Sequence, residues 1–255
     1  MYQEEFSAMA GAAKAKVNLL CKNPVGYFVL SMLAGIYVGF GILLIFSAGG
    51  LLGGAPYTKI VMGVSFGVAL SLVVIAGAEL FTGNNLVMIA GITKKAISFK
   101  DACKLWVICW IGNLCGSILL AVLYHGSGLG SGEIGAFIAT ATAAKMNASV
   151  VELFIRGILC NILVCLAVWC GFRCKSESGK LIMIFWCLFA FITSGFEHSV
   201  ANMTLMAIGL MNPMGQAINL GGYIYNLVVV TAGNMIGGIL FVAIPYYLVL
   251  KNKEV

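Results

Sequence analysis

The stretch Gly77-Ala78-Glu79-Leu80-Phe81-Thr82-Gly83-Asn84-Asn85 decides how this sequence folds. It lies in the middle of an apolar run from Ile60 to Ile92, in which Glu79 is the only charged residue. As one continuous helix this run would be about 50 Å long, well beyond the roughly 30 Å of a bilayer core. Non-helical backbone is tolerated at membrane depth only where it is buried in protein or lines a cavity. The stretch therefore predicts a membrane helix that is broken at its centre and lines a path.

A second break of the same kind is predicted further along the chain. The run Leu181–Leu210 carries Ser194-Gly195-Phe196-Glu197-His198-Ser199 at its middle. It again contains glycine, a glutamate and polar residues where an unbroken helix would be apolar. A shift of 118 residues superposes the first break on the second, in the pairs Gly77 and Gly195, Glu79 and Glu197, Asn84 and Asn202, and Gly91 and Gly209.

A second repeat supports an internal duplication. Gly112-Asn113-Leu114-Cys115-Gly116-Ser117-Ile118-Leu119 matches Gly233-Asn234-Met235-Ile236-Gly237-Gly238-Ile239-Leu240 at five of eight positions. Each half holds three apolar spans, so the second half must insert upside down relative to the first. Inverted repeats with paired broken helices place a central site at the bilayer midplane.

Composition confines the chain to the membrane. Of its 255 residues 61% are hydrophobic and only 9% are charged, whereas soluble proteins have about 25% charged residues. A polytopic helical membrane protein follows, with residues 1–255 as a single transmembrane domain. The predicted spans are Tyr27–Phe46, a second from Ile60, Leu105–Tyr124, Val151–Phe172, Leu181–Leu210 and Tyr225–Leu248.

The positive charges predict the orientation. Nearly all lysines and arginines fall in the N-terminal segment, the second and fourth connections and the C-terminal end. The opposite loops hold only Lys59 and Lys145. The positive-inside rule then puts both termini in the cytoplasm, and residues 1–22 are expected to form a cytoplasmic N-terminal helix. The net charge of +6 is thus a topology signal and predicts no nucleic acid partner.

The breaks also predict the chemistry of the path. Each broken span restarts as a half-helix whose free N–H groups favour an anion, and Thr82 adds a hydroxyl. His198 has two interpretations, a group that exchanges protons near neutral pH or a neutral histidine that only packs. For Glu79 and Glu197 we expect a structural role, with the carboxylates accepting the loose N–H groups of the broken loops.

Two further basic residues have different expectations. Lys145 lies in a predicted loop, His125–Asn147, and is either a surface lysine or a residue that folds inward and attracts an anion. Arg156 has a simpler explanation, because Glu152 stands four residues earlier on the same helical face and can pair with it.

Other functional classes fit the sequence less well. The nine cysteines lie mostly inside apolar runs and form no CxxC motif, so we expect packing and no metal or cofactor site. A membrane-embedded enzyme would need converging ligands, whereas the two histidines stand far apart. An aquaporin-type channel for water or small neutral solutes is the closest alternative. It would carry Asn-Pro-Ala turns at the breaks, but the Asn-Pro pairs, Asn23-Pro24 and Asn212-Pro213, lie outside them. A purely structural role would leave His198 and the double break unexplained.

The sequence resembles the formate/nitrite transporter family. The resemblance covers essentially the whole membrane domain and rests on three stretches of the chain. They are Ala76-Gly77-Ala78-Glu79-Leu80-Phe81-Thr82-Gly83-Asn84, Ser194-Gly195-Phe196-Glu197-His198-Ser199-Val200-Ala201-Asn202-Met203 and, more weakly, Arg156-Gly157-Ile158-Leu159-Cys160-Asn161-Ile162-Leu163-Val164-Cys165-Leu166-Ala167.

The resemblance implies an aquaporin-like fold of six membrane helices, assembled as a homopentamer in the inner (plasma) membrane. It implies a channel for small monovalent anions, with nitrite or hydrosulfide slightly favoured over formate by the first break. His198 would be the central pore histidine, Thr82 its facing hydroxyl and Lys145 the lysine that supports the site electrostatically. Asn161, Glu197 and Asn202 would orient this network, and the apolar constrictions on either side of His198 would be formed by Phe66, Leu70, Phe81 and Phe191. Arg156 has no role in transport by this resemblance.

The resemblance also implies a mechanism. A bare anion would lose its solvation in an apolar constriction, whereas the neutral acid would pass. A proton supplied at His198, either by the ring or by water relayed through it, would make that acid.

Overall fold

The computed structural model describes residues 2–251, without the side chain of Lys251. Met1 and residues 252–255, which include Lys253 of the predicted basic set, lie outside the described residues. Within the described range the regular structure is helical throughout, in ten helices. They are α1 Gln3–Lys22, α2 Pro24–Leu51, α3 Thr58–Gly77, α4 Phe81–Thr93, α5 Phe99–Gly126, α6 Gly132–Asn147, α7 Val150–Arg173, α8 Glu177–Ser194, α9 Ser199–Met211 and α10 Leu220–Leu250.

Both predicted helix breaks are confirmed. The first lies between α3 and α4, where Gly77 has a φ of +82° and Ala78 and Leu80 are extended. The second lies between α8 and α9, where Gly195 has a φ of +77° and His198 is extended. Left-handed backbone is accessible to glycine without a steric penalty, which explains why the two breaks share this residue. Six segments are long and apolar enough to cross a membrane: α2, α3, α5, α7, α8 and α10.

The predicted duplication is visible as two sets of five helices, α1–α5 and α6–α10. In each set the first span packs against the last, α2 on α5 and α7 on α10. Glycines allow these close crossings: a Cβ on Gly116 would collide with the Met32 carbonyl, and one on Gly233 with the Phe154 carbonyl. Gly116 and Gly233 belong to the two matching Gly-Asn stretches of the sequence, and the glycines of these stretches let the helix backbones approach closely.

The predicted loop His125–Asn147 is wrong for most of its length. Its last part is helix α6, and α5 continues to Gly126. The composition of this segment suggested a loop, but its buried residues recur with a helical period, as Gly135, Ile138, Ala139, Thr142 and Met146. This apolar face packs against α2 and α9, and it holds α6 on the bundle.

Helix α1 is the counterpart of α6 at the start of the chain. Its buried positions, Phe6, Met9, Ala13, Val17 and Leu20, also follow a helical period. They pack chiefly on α4 and α2, so the predicted N-terminal helix forms and is attached to the bundle. The packing predicted for the cysteines is seen at four of them, since Cys109, Cys160, Cys165 and Cys187 are buried.

Candidate functional site

The two breaks meet at a contact between His198 and Thr82. Thr82 lies in the first turn of α4, and His198 is the residue that precedes α9. The imidazole Nε2 is 2.9 Å from the Thr82 hydroxyl, and the residues are only 4% and 0% exposed. The structure thus brings together the histidine and the facing hydroxyl that the sequence singled out, one from each half of the repeat.

The other ring nitrogen fixes the form of the histidine. His198 Nδ1 accepts a hydrogen bond from the Ala201 amide at 3.1 Å and so caps the N-terminus of α9. Since Nδ1 is an acceptor here, the neutral ring carries its proton on Nε2 and donates it to the Thr82 oxygen. The Thr82 hydroxyl proton is then not used in this contact. Thr82 itself is fully buried and is absent from the lining of the three cavities described below.

Two buried asparagines, one for each break, form hydrogen bonds with the backbone groups that the breaks leave unpaired. Asn113 Oδ1 accepts from the Phe81 amide at 2.9 Å, and its Nδ2 donates to the carbonyls of Glu79 and Ser31. The asparagine supplies both an acceptor and donors, so it can satisfy backbone groups of both kinds that the broken helix leaves unpaired.

The second half repeats this arrangement. Asn234 Oδ1 accepts from the Ser199 amide at 2.9 Å, and its Nδ2 donates to the carbonyls of Glu197 and Gly157. The bonds correspond one by one to those of Asn113. Both breaks are therefore stabilised by side-chain hydrogen bonds to their backbone groups.

The structural role predicted for the glutamates takes a different form. Neither carboxylate accepts a loose amide of its break among the described hydrogen bonds. Glu79 instead binds Lys16 Nζ of α1 at 2.6 Å, and Glu197 binds Lys145 Nζ of α6 through both oxygens at 2.8 Å. A carboxylate offers only acceptors, whereas each break also exposes carbonyls, so an asparagine suits the backbone better. Lys145 is thus the inward-folding lysine of the two interpretations.

Amide side chains complete both ion pairs. Asn84 Nδ2 donates to Glu79 at 3.1 Å, and Asn202 Nδ2 donates to Glu197 at 2.7 Å. Each glutamate therefore has an ammonium and an amide as partners, which is what a carboxylate at this depth requires. Asn161 lies behind the central pair, where its Nδ2 donates to the carbonyls of Asn234 at 2.6 Å and Thr82 at 3.4 Å.

Two large cavities approach the central pair from opposite ends. The α6 vestibule, of about 500 Å³, is lined by residues that include Lys59, Lys145, Phe191, His198 and Asn202. The α1 vestibule, of about 560 Å³, is lined by residues that include Lys16, Leu70, Glu79, Leu80 and Asn84. The α1 vestibule is thus lined by both members of its lysine–glutamate pair, whereas the α6 vestibule is lined by Lys145, whose partner Glu197 lies outside the lining.

A small central chamber of about 10 Å³ separates the vestibules. Phe191 and His198 border both it and the α6 vestibule, while Leu70 and Leu80 border both it and the α1 vestibule. At the boundary with the α6 vestibule, Phe191 contacts Phe66 edge to face, with their ring centroids 5.5 Å apart. A space of this size holds about one water, so the path is closed to solutes in this conformation.

One of the predicted constriction residues is placed differently. Phe81 is 2% exposed and packs in the core, and it is absent from the lining of these three cavities. Its neighbour Leu80, which the sequence analysis did not select, borders two of them. Phe66, Leu70 and Phe191 all line the central chamber.

The first turns of the half-helices present free amides. Among the described hydrogen bonds none engages the amides of Thr82, Gly83 or Val200. Such groups at a helix N-terminus bind anions, and Gly83 borders the α1 vestibule. Arg156 lies apart from these cavities and pairs with Glu152 at 3.5 Å, as the sequence spacing predicted.

Sequence reasoning missed three residues of this arrangement. In the sequence Lys16 is only one of the basic residues of the N-terminal segment, although the structure makes it the counterpart of Lys145 in the first half. Asn113 and Asn234 were seen as matching positions of a repeat without a role. Asn113 and Asn234 could have been identified as functional because the same uncharged polar residue recurs at the same place in two apolar spans.

Comparisons with known proteins agree with this geometry. A family model described as formate/nitrite transporter matches residues 3–248. The chain is 40% identical to a nitrite transporter, NirC, of Salmonella typhimurium, over 100% of this chain and 94% of that protein. It is 31% identical to the formate channel FocA of Escherichia coli, over 97% of this chain and 95% of that protein.

Solved structures show the same fold. A structure described as an FNT family ion channel matches with a TM-score of 0.92 at 40% identity, over 96% of this chain and 98% of that one. One described as a pentameric formate channel with formate bound matches with a TM-score of 0.81 at 33% identity, over 89% of this chain and 97% of that one. The match to the family model spans nearly the whole chain, and the chain belongs to the formate/nitrite transporter family.

Proposed function

We propose that this protein is a membrane channel for small monovalent anions of weak acids, with nitrite as the favoured substrate and hydrosulfide and formate as related ones. The single observation that carries this proposal is the contact of His198 with Thr82, because His198 borders a small closed chamber between two vestibules that each have a lysine in their lining. Residues 1–255 then act as one channel domain. The preference for nitrite follows the similarity to NirC, which is a nitrite transporter.

The vestibules would bring the anion to the constrictions. At the two half-helix N-termini, free amides and the positive end of the helix dipole offset part of the hydration that the anion loses. Lys16 and Lys145 provide ammonium groups at the rims of the breaks, and Glu79 and Glu197 hold them in place.

The central pair would decide the form in which the anion passes. A charge in the apolar centre of a membrane costs roughly 3 kcal/mol even on the lenient insertion scale, whereas a small neutral acid has no such penalty. Once the constrictions open and admit the anion to Thr82, the Thr82 hydroxyl, polarised by the imidazole N–H, donates a hydrogen bond to it, and a proton from solvent joins it. The neutral acid crosses the second constriction and releases its proton in the other vestibule.

The membrane arrangement follows the charges of the loops. We infer that α1 and both chain termini face the cytoplasm and that the α6 vestibule faces outward, in the inner (plasma) membrane. A homopentamer is inferred from the likeness to a structure described as a pentameric formate channel.

This mechanism predicts a pH-dependent flux that requires His198. In proteoliposomes, nitrite uptake should rise as external pH falls, because more protons are available to form the neutral acid. In His198→Phe, which keeps a ring in place but cannot donate, uptake should fall about a hundredfold, since the anion must then pay the penalty of roughly 3 kcal/mol for its charge. Initial rates of uptake across a pH series, measured for both proteins, test this prediction.

The controls distinguish anion transport from the alternative function of a water channel. Thr193→Val removes a hydroxyl of α8 outside the central pair and should leave the pH profile unchanged. Vesicle swelling measured in parallel detects water flow. Water flow without nitrite uptake would identify a water channel, and nitrite uptake that is insensitive both to pH and to His198→Phe would contradict the proton-linked passage.

A further inference from the structure

The charges of the two vestibules do not balance in the same way. In the α1 vestibule the charged lining residues are Lys16 and Glu79, which pair with each other at 2.6 Å. In the α6 vestibule Lys145 is compensated by Glu197, but Lys59 lines the same cavity. Lys59 is in none of the four ion pairs found among the described residues. The α6 vestibule therefore carries one uncompensated positive charge.

The position of Lys59 has no benefit for its own helix. It is the second residue of α3, where the partial positive charge of the helix N-terminus disfavours a cation. Its side chain is exposed, and it adjoins Gly54, Ala55 and Pro56, which line the same cavity. The lysine thus stands at the mouth of the vestibule, in contact with solvent, while Lys145 lies deeper at the break.

We propose that Lys59 is an anion-capture residue, which raises the concentration of anions at the mouth of the α6 vestibule before they reach the Lys145–Glu197 pair. A cavity lined by one sign of charge concentrates ions of the opposite sign and speeds their entry. Because Lys145 is neutralised by its partner, the long-range attraction of this vestibule comes from Lys59. The inference rests on the proposed anion transport and assigns a residue to its first step.

The test uses Lys59→Gln, Lys59→Arg and a matched control, Lys100→Gln. Lys100 is also an exposed lysine at the second position of a helix, α5, but it does not line the described vestibules or the central chamber. Its replacement changes the net charge by the same amount. Initial nitrite uptake into proteoliposomes is measured over a concentration series, with an impermeant salt at equal concentration on both sides. The vesicles hold both orientations, so the result does not depend on which vestibule faces outward.

At an ionic strength of about 10 mM, where the screening length is about 30 Å, Lys59→Gln should raise the half-saturating nitrite concentration about threefold to tenfold. The maximal rate should change little, since the capture step is not the passage through the constrictions. At about 1 M salt the difference from the wild type should vanish. Lys59→Arg and Lys100→Gln should behave as the wild type does.

Three results would overturn the inference. They are an unchanged half-saturating concentration in Lys59→Gln at low salt, an equal increase in Lys100→Gln, and a loss in Lys59→Arg as large as in Lys59→Gln. If the wild type transports nitrite in any of these cases, the proposed function stands and only the role of Lys59 fails. If the wild type moves no more nitrite than protein-free vesicles do, the proposed function fails and the inference falls with it.

Discussion

Lys145→Met is expected to lower nitrite uptake about thirtyfold and to reduce the stability of the channel. The side chain of Glu197 is only 5% exposed, and this change leaves its carboxylate without the ammonium 2.8 Å away. The pair then becomes a net negative charge beside the α6 vestibule. A unit charge at about 8 Å, with an effective dielectric constant near 20, is worth about 2 kcal/mol, which corresponds to roughly thirtyfold. Uptake in proteoliposomes and thermal unfolding in detergent measure the two effects.

The double variant Lys145→Met with Glu197→Gln provides the sharper comparison. Both charges are then absent, so the penalty of about 3–5 kcal/mol for one unpaired buried charge is removed. We expect the double variant to recover most of the lost stability and part of the flux. Lys16→Met should resemble Lys145→Met, because Lys16 pairs with Glu79 in the same manner. An unchanged uptake rate in Lys145→Met would mean that Lys145 does not act on the anion.

Asn234→Leu is expected to destabilise the second break and to abolish transport. The change removes three side-chain hydrogen bonds, of 2.8–2.9 Å, to Ser199, Gly157 and Glu197. Ser199 is fully buried, so its amide would have no substitute partner nearby. Each unsatisfied buried group costs about 1–3 kcal/mol, and a total of about 3 kcal/mol would lower the Tm by about 10 °C.

The comparison for this variant is Asn147→Leu. Asn147 is exposed and donates one hydrogen bond, to the Ala143 carbonyl within α6, so its loss should shift the Tm by little. Asn113→Leu should have the same effect as Asn234→Leu, since it holds the first break through an equivalent set of bonds. A Tm for Asn234→Leu within about a degree of that of Asn147→Leu would show that the breaks do not depend on these asparagines.

The fold could be predicted from the sequence because the breaks contradict the rules of membrane helices. An apolar run that is too long for the bilayer, with glycine and glutamate at its centre, has few structural solutions, and its recurrence 118 residues later excludes most of them. The contact of His198 with Thr82 follows from the same reasoning, since inverted halves bring the two breaks to the same depth.

The rest of the site could not be predicted for physical reasons that differ from residue to residue. Helix α6 is rich in small residues, and the helical period of its buried positions can be recognised only when its packing on α2 and α9 is known. Lys16 is one of several basic residues near the N-terminus, and nothing local distinguishes it as the partner of Glu79. The bonds of Asn113 and Asn234 depend on helix crossings that only the three-dimensional arrangement reveals.

The placement of the two lysines has a consequence for how the channel is screened. Glu79 and Glu197 lie in the breaks, whereas their lysines stand on separate helices, α1 and α6. Detachment of either helix from the bundle would leave a buried glutamate without its counter-ion and put a negative charge beside one vestibule. Each of these two helices therefore acts as an electrostatic shield that depends on its own packing.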